Sequence, residues 1–297
     1  MINKHWKIVA WLIATFLLIV VGLPILLTRS WGPDCLKFSD STGWIGDTLG
    51  GITAPFIGFV NVVLLVWTLW KQIDFNEKQL KAQKEEQFKT AFFQMVQTQR
   101  ELLHEVKGSF MSRNMKGDVE DGKVAGIDFF RNAGMELATL FQVFECQVAN
   151  NGLMDQNVRI RYNVRGTDIT AYAGADNAGK MKIAYEKFFA RHLEMGNYFR
   201  HLYHILKFIS TEKKEAIEAA GKDADKEAIG KWYKSYADLL QATLSVEELR
   251  MAYYNSAAFD NAKAVFLEFQ FVENLTKKNL IRPDKDVMAG FVIKKDY

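Results

Sequence analysis

Cysteine is nearly missing from this chain: its 297 residues hold two, Cys35 and Cys146. No CxxC pair and no Cys/His spacing points to zinc, so no metal site is expected. Also missing are the Walker A, GxGxxG, GxSxG and HExxH patterns. Readings as an ATPase, a Rossmann oxidoreductase or a serine hydrolase therefore lack their usual signals, and no cofactor is implied. A formal net charge of +3 is too small to imply nucleic acid as a partner by itself. Internal repeats and low-complexity tracts are absent as well.

What the chain does have is two long apolar runs, diluted by a polar remainder to an overall hydrophobic content of 49%. The first extends from Trp6 to about Leu27 and the second from about Ile52 to Trp70. Each approaches the ~20 apolar residues that cross a bilayer core. Lys4 and Lys7 precede the first run, which is longer than a signal-peptide core. Leu26, Leu27, Thr28 and Arg29 fit no small-x-small cleavage site, so an uncleaved span is expected. Lys71, Lys78, Lys81, Lys84 and Lys89 follow the second run, whereas the loop Arg29–Gly51 holds only Arg29 and Lys37. The positive-inside rule then places both chain ends in the cytoplasm. Trp6, Trp31, Trp44, Trp67 and Trp70 suit interfacial anchoring. This topology puts Cys35 and Cys146 on opposite sides of the membrane, which argues against an intrachain disulfide.

Gly46, Gly50, Ala54 and Gly58 recur every four residues, and Asn61 lies on nearly the same face. Such a stripe lets another backbone approach closely, and a polar amide in lipid seeks a partner across the contact. Packing against the first span is the simpler reading and a homo-oligomer contact the sharper one. Pro24 and Pro55 kink or cap their helices, and Asp47 caps the second span or meets solvent at its outer end.

The expected organisation is all-α: a transmembrane hairpin over 1–70, a membrane-proximal helix or stalk over 71–109, and a helical cytoplasmic domain over 110–297. Between Lys71 and Phe110 there is no proline and no glycine before Gly108. Ile73, Leu80, Phe88, Phe92, Met95, Leu102 and Val106 form a broken helical stripe there, with only a weak coiled-coil heptad. Met111–Lys123 reads as a loop. Gly126–Ala149 returns to helix, and Asn150–Gly179 reads as an ordered loop or short hairpin. A long helix over Lys180–Ser210 and an exposed turn over Thr211–Lys226 follow. Helices over Lys226–Thr243, Ser245–Phe259 and Asp260–Leu280 come next, with Ser245 and Glu248 forming a capping box. The tail from Arg282 to Tyr297 is expected to be loosely held.

Several strings then become familiar. GDTLGGITAPFIGFVNVVLLVWTLWKQ, FFQMVQTQRELLHEV, YFRHLYHILKFI (Tyr198–Ile209), YADLLQATLSVEELRMAYYN (Tyr236–Asn255) and FLEFQFVENL (Phe266–Leu275) follow one another in order. Together they resemble the blocks of the phage abortive infection proteins, the AbiC-like family, over most of the chain. One departure is Leu103, which stands before His104 where the family often doubles the histidine. The resemblance implies bacterial anti-phage defence from the inner membrane by abortive infection. It implies no particular reaction and no catalytic residues.

Candidate chemistry concentrates on the Tyr198–Ile209 string. His201 and His204 are one helical turn apart, near enough to share a ligand, although two ligands do not make a zinc site. Arg200 with His204 invites comparison with HEPN ribonucleases, which need a histidine acid/base and a cation for phosphate. The three residues between them fall short of the four to six in that motif. Tyr198, Tyr203, Tyr254, Asn255 and His104 are candidate binding residues, with a buried hydrogen-bond network as the plainer reading for the tyrosines and the asparagine. The reading taken is a membrane-anchored, non-enzymatic sensor or effector, triggered by a phage component or acting with a neighbouring defence protein. A membrane-tethered ribonuclease is the alternative, the one case that makes nucleic acid a partner, and a scaffold for a separate effector is the third.

Overall fold

The computed structural model describes Thr15 and residues 42–113, 119–149, 156–221 and 225–294. The first apolar run apart from Thr15, and Cys35 with it, lies outside the described residues. The chain divides into two compact units, Met1–Glu86 and Gln87–Tyr297. The class is all-α, with one two-stranded hairpin among the described residues.

Helix α1, Thr42–Glu105, contributes to both units. In the first unit it carries the second apolar run. Its large side chains are uncovered there: Phe59 is 69% exposed, Leu65 62% and Trp70 71%. Among the described residues this is one helix long and apolar enough to cross a membrane. At 1.5 Å per residue, positions 52–70 cover about 28 Å, close to the ~30 Å of a hydrocarbon core. Ala54, Gly58 and Asn61 are exposed along it, and Gly46 and Gly50 belong to the same helix.

The second unit begins where α1 turns from exposed to anchored. Phe88 stacks on Phe208 at 5.3 Å and meets Tyr233 and Tyr236 edge-on at 5.2 and 5.0 Å. The helix then ends at Glu105 rather than continuing through Gly108. Strands β1 (Lys107–Arg113) and β2 (Val119–Ala125) replace much of the expected loop, pairing antiparallel from Lys107↔Ala125 to Arg113↔Val119. Packing overrides the helical pattern here. Phe110 is buried edge-on against Phe129 at 5.0 Å, and a Cβ at position 108 would sit 2.6 Å from the Phe129 ring, so glycine is required. Gly126, at φ +61°, turns the chain into α2, Ile127–Val148.

The segment expected as an irregular loop or hairpin forms two short helices in its described part, α3 (Gln156–Arg161) and α4 (Gly166–Gly174). The expected long helix is broken at His192. Helix α5 (Asn177–Arg191) gives way to a 3-10 turn and then to α6, Gly196–Ala219, which absorbs much of the expected Thr211–Lys226 turn. Alanine, lysine and glutamate are strong helix formers, which explains the extension. Helices α7 (Lys226–Ala242) and α8 (Val246–Ala258) follow. In α8 the Ser245 hydroxyl accepts from the Glu248 N–H at 3.2 Å, and the Glu248 carboxylate accepts from the Ser245 N–H at 2.8 Å. The expected capping box is therefore present. Helix α9, Asp260–Phe269, stops eleven residues before Leu280 because Gln270 turns left-handed at φ 52°. Its side chain then bonds the Gly290 carbonyl and the Val292 N–H.

Helix α8 lies against α2, α5 and α9, and every residue from Glu248 to Ser256 except Arg250 is buried. The C-terminal tail is fastened to it rather than loose. Asp286, fully buried, accepts from Arg282 Nε at 2.9 Å and Nη2 at 2.5 Å, and from the Tyr254 hydroxyl at 2.6 Å. Tyr253 donates to the Asp286 carbonyl at 2.6 Å. Arg282 also bonds the Tyr172 hydroxyl at 2.8 Å and lies 4.1 Å from the Phe141 ring centre. Removing Asp286 leaves buried Arg282 with the partly exposed Glu145, at 3.2 Å, as its counter-charge. Asp286→Ala is therefore expected to destabilise the folded chain by about 3–5 kcal/mol. Denaturant unfolding of the detergent-solubilised protein checks this, and a loss below about 1 kcal/mol contradicts the anchoring role.

Candidate functional site

Helical spacing distributes the Tyr198–Ile209 string over three surroundings. Tyr198, Leu202, Ile205, Leu206 and Ile209 are buried, Arg200 and His204 are exposed, and His201 and Tyr203 lie half-buried between them. The Tyr198 hydroxyl donates to Glu248 at the start of α8. Burial first, and then that carboxylate, push the tyrosine well above its ordinary pKa, so it stays a donor. Gln99, buried on α1, donates to the Tyr198 carbonyl at 3.4 Å and lies 2.8 Å from His201 Nδ1 through its amide oxygen. Desolvation, with His204 as the second cause, lowers the His201 pKa. The shift favours the neutral ring, and the Gln99 amide oxygen suits a proton on Nδ1. His204 instead lies beside the Tyr203 ring at 5.3 Å, and His104 is exposed near the end of α1. The two histidines of α6 are therefore engaged separately.

Tyr254 points into the Asp286 network, whereas Asn255 borders a cavity that Tyr203 also lines. Asn255 is 5% exposed, and its Nδ2 donates to the Tyr185 hydroxyl of α5 at 3.0 Å. With Arg200 and Tyr203 it lines this cavity, of about 560 Å³. The end of α5 contributes Phe189, the first turns of α6 contribute Gly196 and Phe199, and the α8–α9 junction adds Ala258 and Phe259 through Ala262. Of the eight candidate catalytic and binding residues, the fold brings three together: Arg200, Tyr203 and Asn255. The contributions of Phe189 and Asp260 have no sequence signal, because only tertiary packing carries them there.

A second polar cluster, also absent from the sequence reading, joins the β-hairpin to α2, α3 and the end of α5. Arg161 Nε lies 2.9 Å from the Glu136 carboxylate, while its Nη atoms reach Asp121 at 2.5 Å and the Ser109 carbonyl at 2.6 Å. His192 Nε2 and the Tyr162 hydroxyl share a hydrogen bond of 2.9 Å, and Glu136 lies 3.7 Å from the same nitrogen. Its buried members are His192, Glu136 and Tyr162.

Burial, reinforced by Arg161 and Arg191, pushes the His192 pKa down from 6.5 to about 3. Below pH 6.5 the unfolded chain binds a proton there that the folded chain refuses. The stabilising contribution is complete above that pH and falls by about 1.4 kcal/mol per unit as the pH drops toward 3. Glu136 acts in the opposite sense: burial raises its pKa, so acid relieves part of its cost. Replacing the histidine by a neutral side chain isolates the first effect. Thermal unfolding of His192→Gln should depend less steeply on pH than wild type between about pH 6 and 4. Equal slopes for the two proteins contradict the assignment.

The family model described as "Putative phage abortive infection protein" matches residues 191–280. No curated protein and no solved structure matches the chain. The matched segment contains α6 through α9 and every residue lining the cavity except Phe189. It also contains the blocks Tyr198–Ile209, Tyr236–Asn255 and Phe266–Leu275, so over this segment the chain carries the pattern of the phage abortive infection family.

Proposed function

We propose that the chain is an anti-phage defence protein of the bacterial inner membrane whose cytoplasmic helical domain is a non-enzymatic sensor and effector of abortive infection. The family match supports the abortive-infection role. The observation that carries the membrane anchor is the uncovered apolar helix: Phe59, Val62, Leu65, Trp67, Leu69 and Trp70 are all exposed. So long an apolar surface in water marks an interaction with lipid or protein. The lysines that follow it, from Lys71 to Lys89, are exposed too and favour a cytoplasmic position for the second unit. A two-span hairpin with both termini cytoplasmic fits that charge distribution.

The separation of Arg200 from His204 supports a non-enzymatic reading. Arg200 lines the cavity and His204 is not among its lining residues, whereas a phosphate-cleaving pair must converge on one substrate. The output in this reading is a change in the membrane itself, with Gly46, Gly50, Ala54, Gly58 and Asn61 as the close-packing face.

Two variants separate anchor from output. Val63→Arg combined with Leu65→Arg places two charges mid-span, at about 2.5–3.5 kcal/mol each on the insertion scale. Combined with removal of the first apolar run, Trp6–Leu27, they should free the chain from the carbonate-washed membrane pellet and abolish phage protection. Retention in the pellet sinks the anchor. Gly58→Leu should stay in the pellet yet lose protection, and unchanged protection eliminates close span packing as the output.

A further inference from the structure

The cavity bordered by α5, α6 and the α8–α9 junction carries chemistry that neither the family match nor the membrane reading uses. Its volume of about 560 Å³ falls within the ~300–1,000 Å³ of small-molecule sites. Phe189, Phe199, Tyr203 and Phe259 give it aromatic walls, and Phe259 keeps 43% of its surface exposed although it is large and apolar. Such rings offer faces on which a flat heterocycle stacks.

The polar groups are few and differ in kind. Asn255 spends its Nδ2 on Tyr185, and among the described residues no hydrogen bond uses its Oδ1, although the side chain is 95% buried and lines the cavity. An acceptor left open on a residue that lines a cavity suits an N–H donor of a ligand. The start of α9 borders the same space through Asp260, Asn261 and Ala262. The backbone N–H groups of a helix's first turn have no acceptor within the helix, and no side chain caps them from Phe259. Arg200 adds an exposed guanidinium whose one hydrogen bond among the described residues, to Asn197, is 3.4 Å long. Helix N–H groups with an arginine make a site for a phosphate group. The Asp260 carboxylate is an acceptor suited to sugar hydroxyls.

We infer that this cavity binds a mononucleotide: its base lies among the aromatic rings with an N–H on Asn255 Oδ1, and its phosphate lies at the start of α9 with Arg200. Binding stands on the cavity alone. The role of the bound nucleotide as the signal that the domain reads rests on the sensor function proposed above.

Thermal-shift titration of the full chain in detergent with AMP, GMP, CMP and UMP tests the site. At least one of them should raise the melting temperature saturably. Arg200→Glu, an exposed position, should leave the unliganded melting temperature unchanged and weaken that nucleotide by about tenfold or more. Tyr203→Ala, which removes one ring, should weaken it as well. Absence of a saturable shift with all four nucleotides overturns the site, and so does a shift that survives both substitutions undiminished. The mid-span arginine variants should bind the nucleotide as wild type does, so failure of the membrane anchor and failure of this site are read separately.

Discussion

Helix α8 is surrounded by α2, α5 and α9, so the buried side chains of Glu248, Tyr253, Tyr254 and Asn255 must find hydrogen-bond partners inside the protein. Glu248 satisfies this with both carboxylate oxygens, one on the Ser245 N–H that starts the helix and one on the Tyr198 hydroxyl of α6. Tyr253 and Tyr254 reach the backbone and side chain of Asp286 and so draw in the C-terminal tail. Asn255 reaches Tyr185 and fixes α5. The three walls of the cavity are thus positioned by hydrogen bonds that radiate from one helix. The open acceptor of Asn255 is the point at which that internal accounting faces a space large enough for a ligand.

What could be read from the chain alone follows the range of the interactions involved. The start of α8 is legible because a capping box is complete within four residues, Ser245 to Glu248. The end of α9 is not, because Gln270 is held left-handed by bonds to Gly290 and Val292, twenty and more residues on. The β-hairpin is hidden for the same reason. Gly108 and Phe110 look like the frayed end of a long helix until Phe129 is known to lie over them. The tail looks polar and loose, yet Arg282 and Asp286 neutralise each other in the core beside Phe141 and three tyrosines.

The site divides along the same line. Periodicity within α6 already separates an apolar face at Tyr198, Leu202 and Ile205 from an outward one at Arg200 and His204. It cannot reveal that Gln99, about a hundred residues earlier, occupies His201, or that Asp260 and Phe189 complete the cavity around Arg200. Tyr198 and Tyr254 follow the plainer of their two readings and hold helices in register. Asn255 combines both, with one amide atom in the core network and the other at the cavity. The family pattern over residues 191–280 takes in every residue that lines the cavity except Phe189.

The most direct test of a membrane-anchored, non-enzymatic abortive-infection protein is to infect cells expressing it and follow membrane potential and total RNA together. The account predicts that the membrane depolarises while RNA remains intact. Cleavage of RNA ahead of any depolarisation would contradict it and return Arg200 and His204 to the centre of a nuclease.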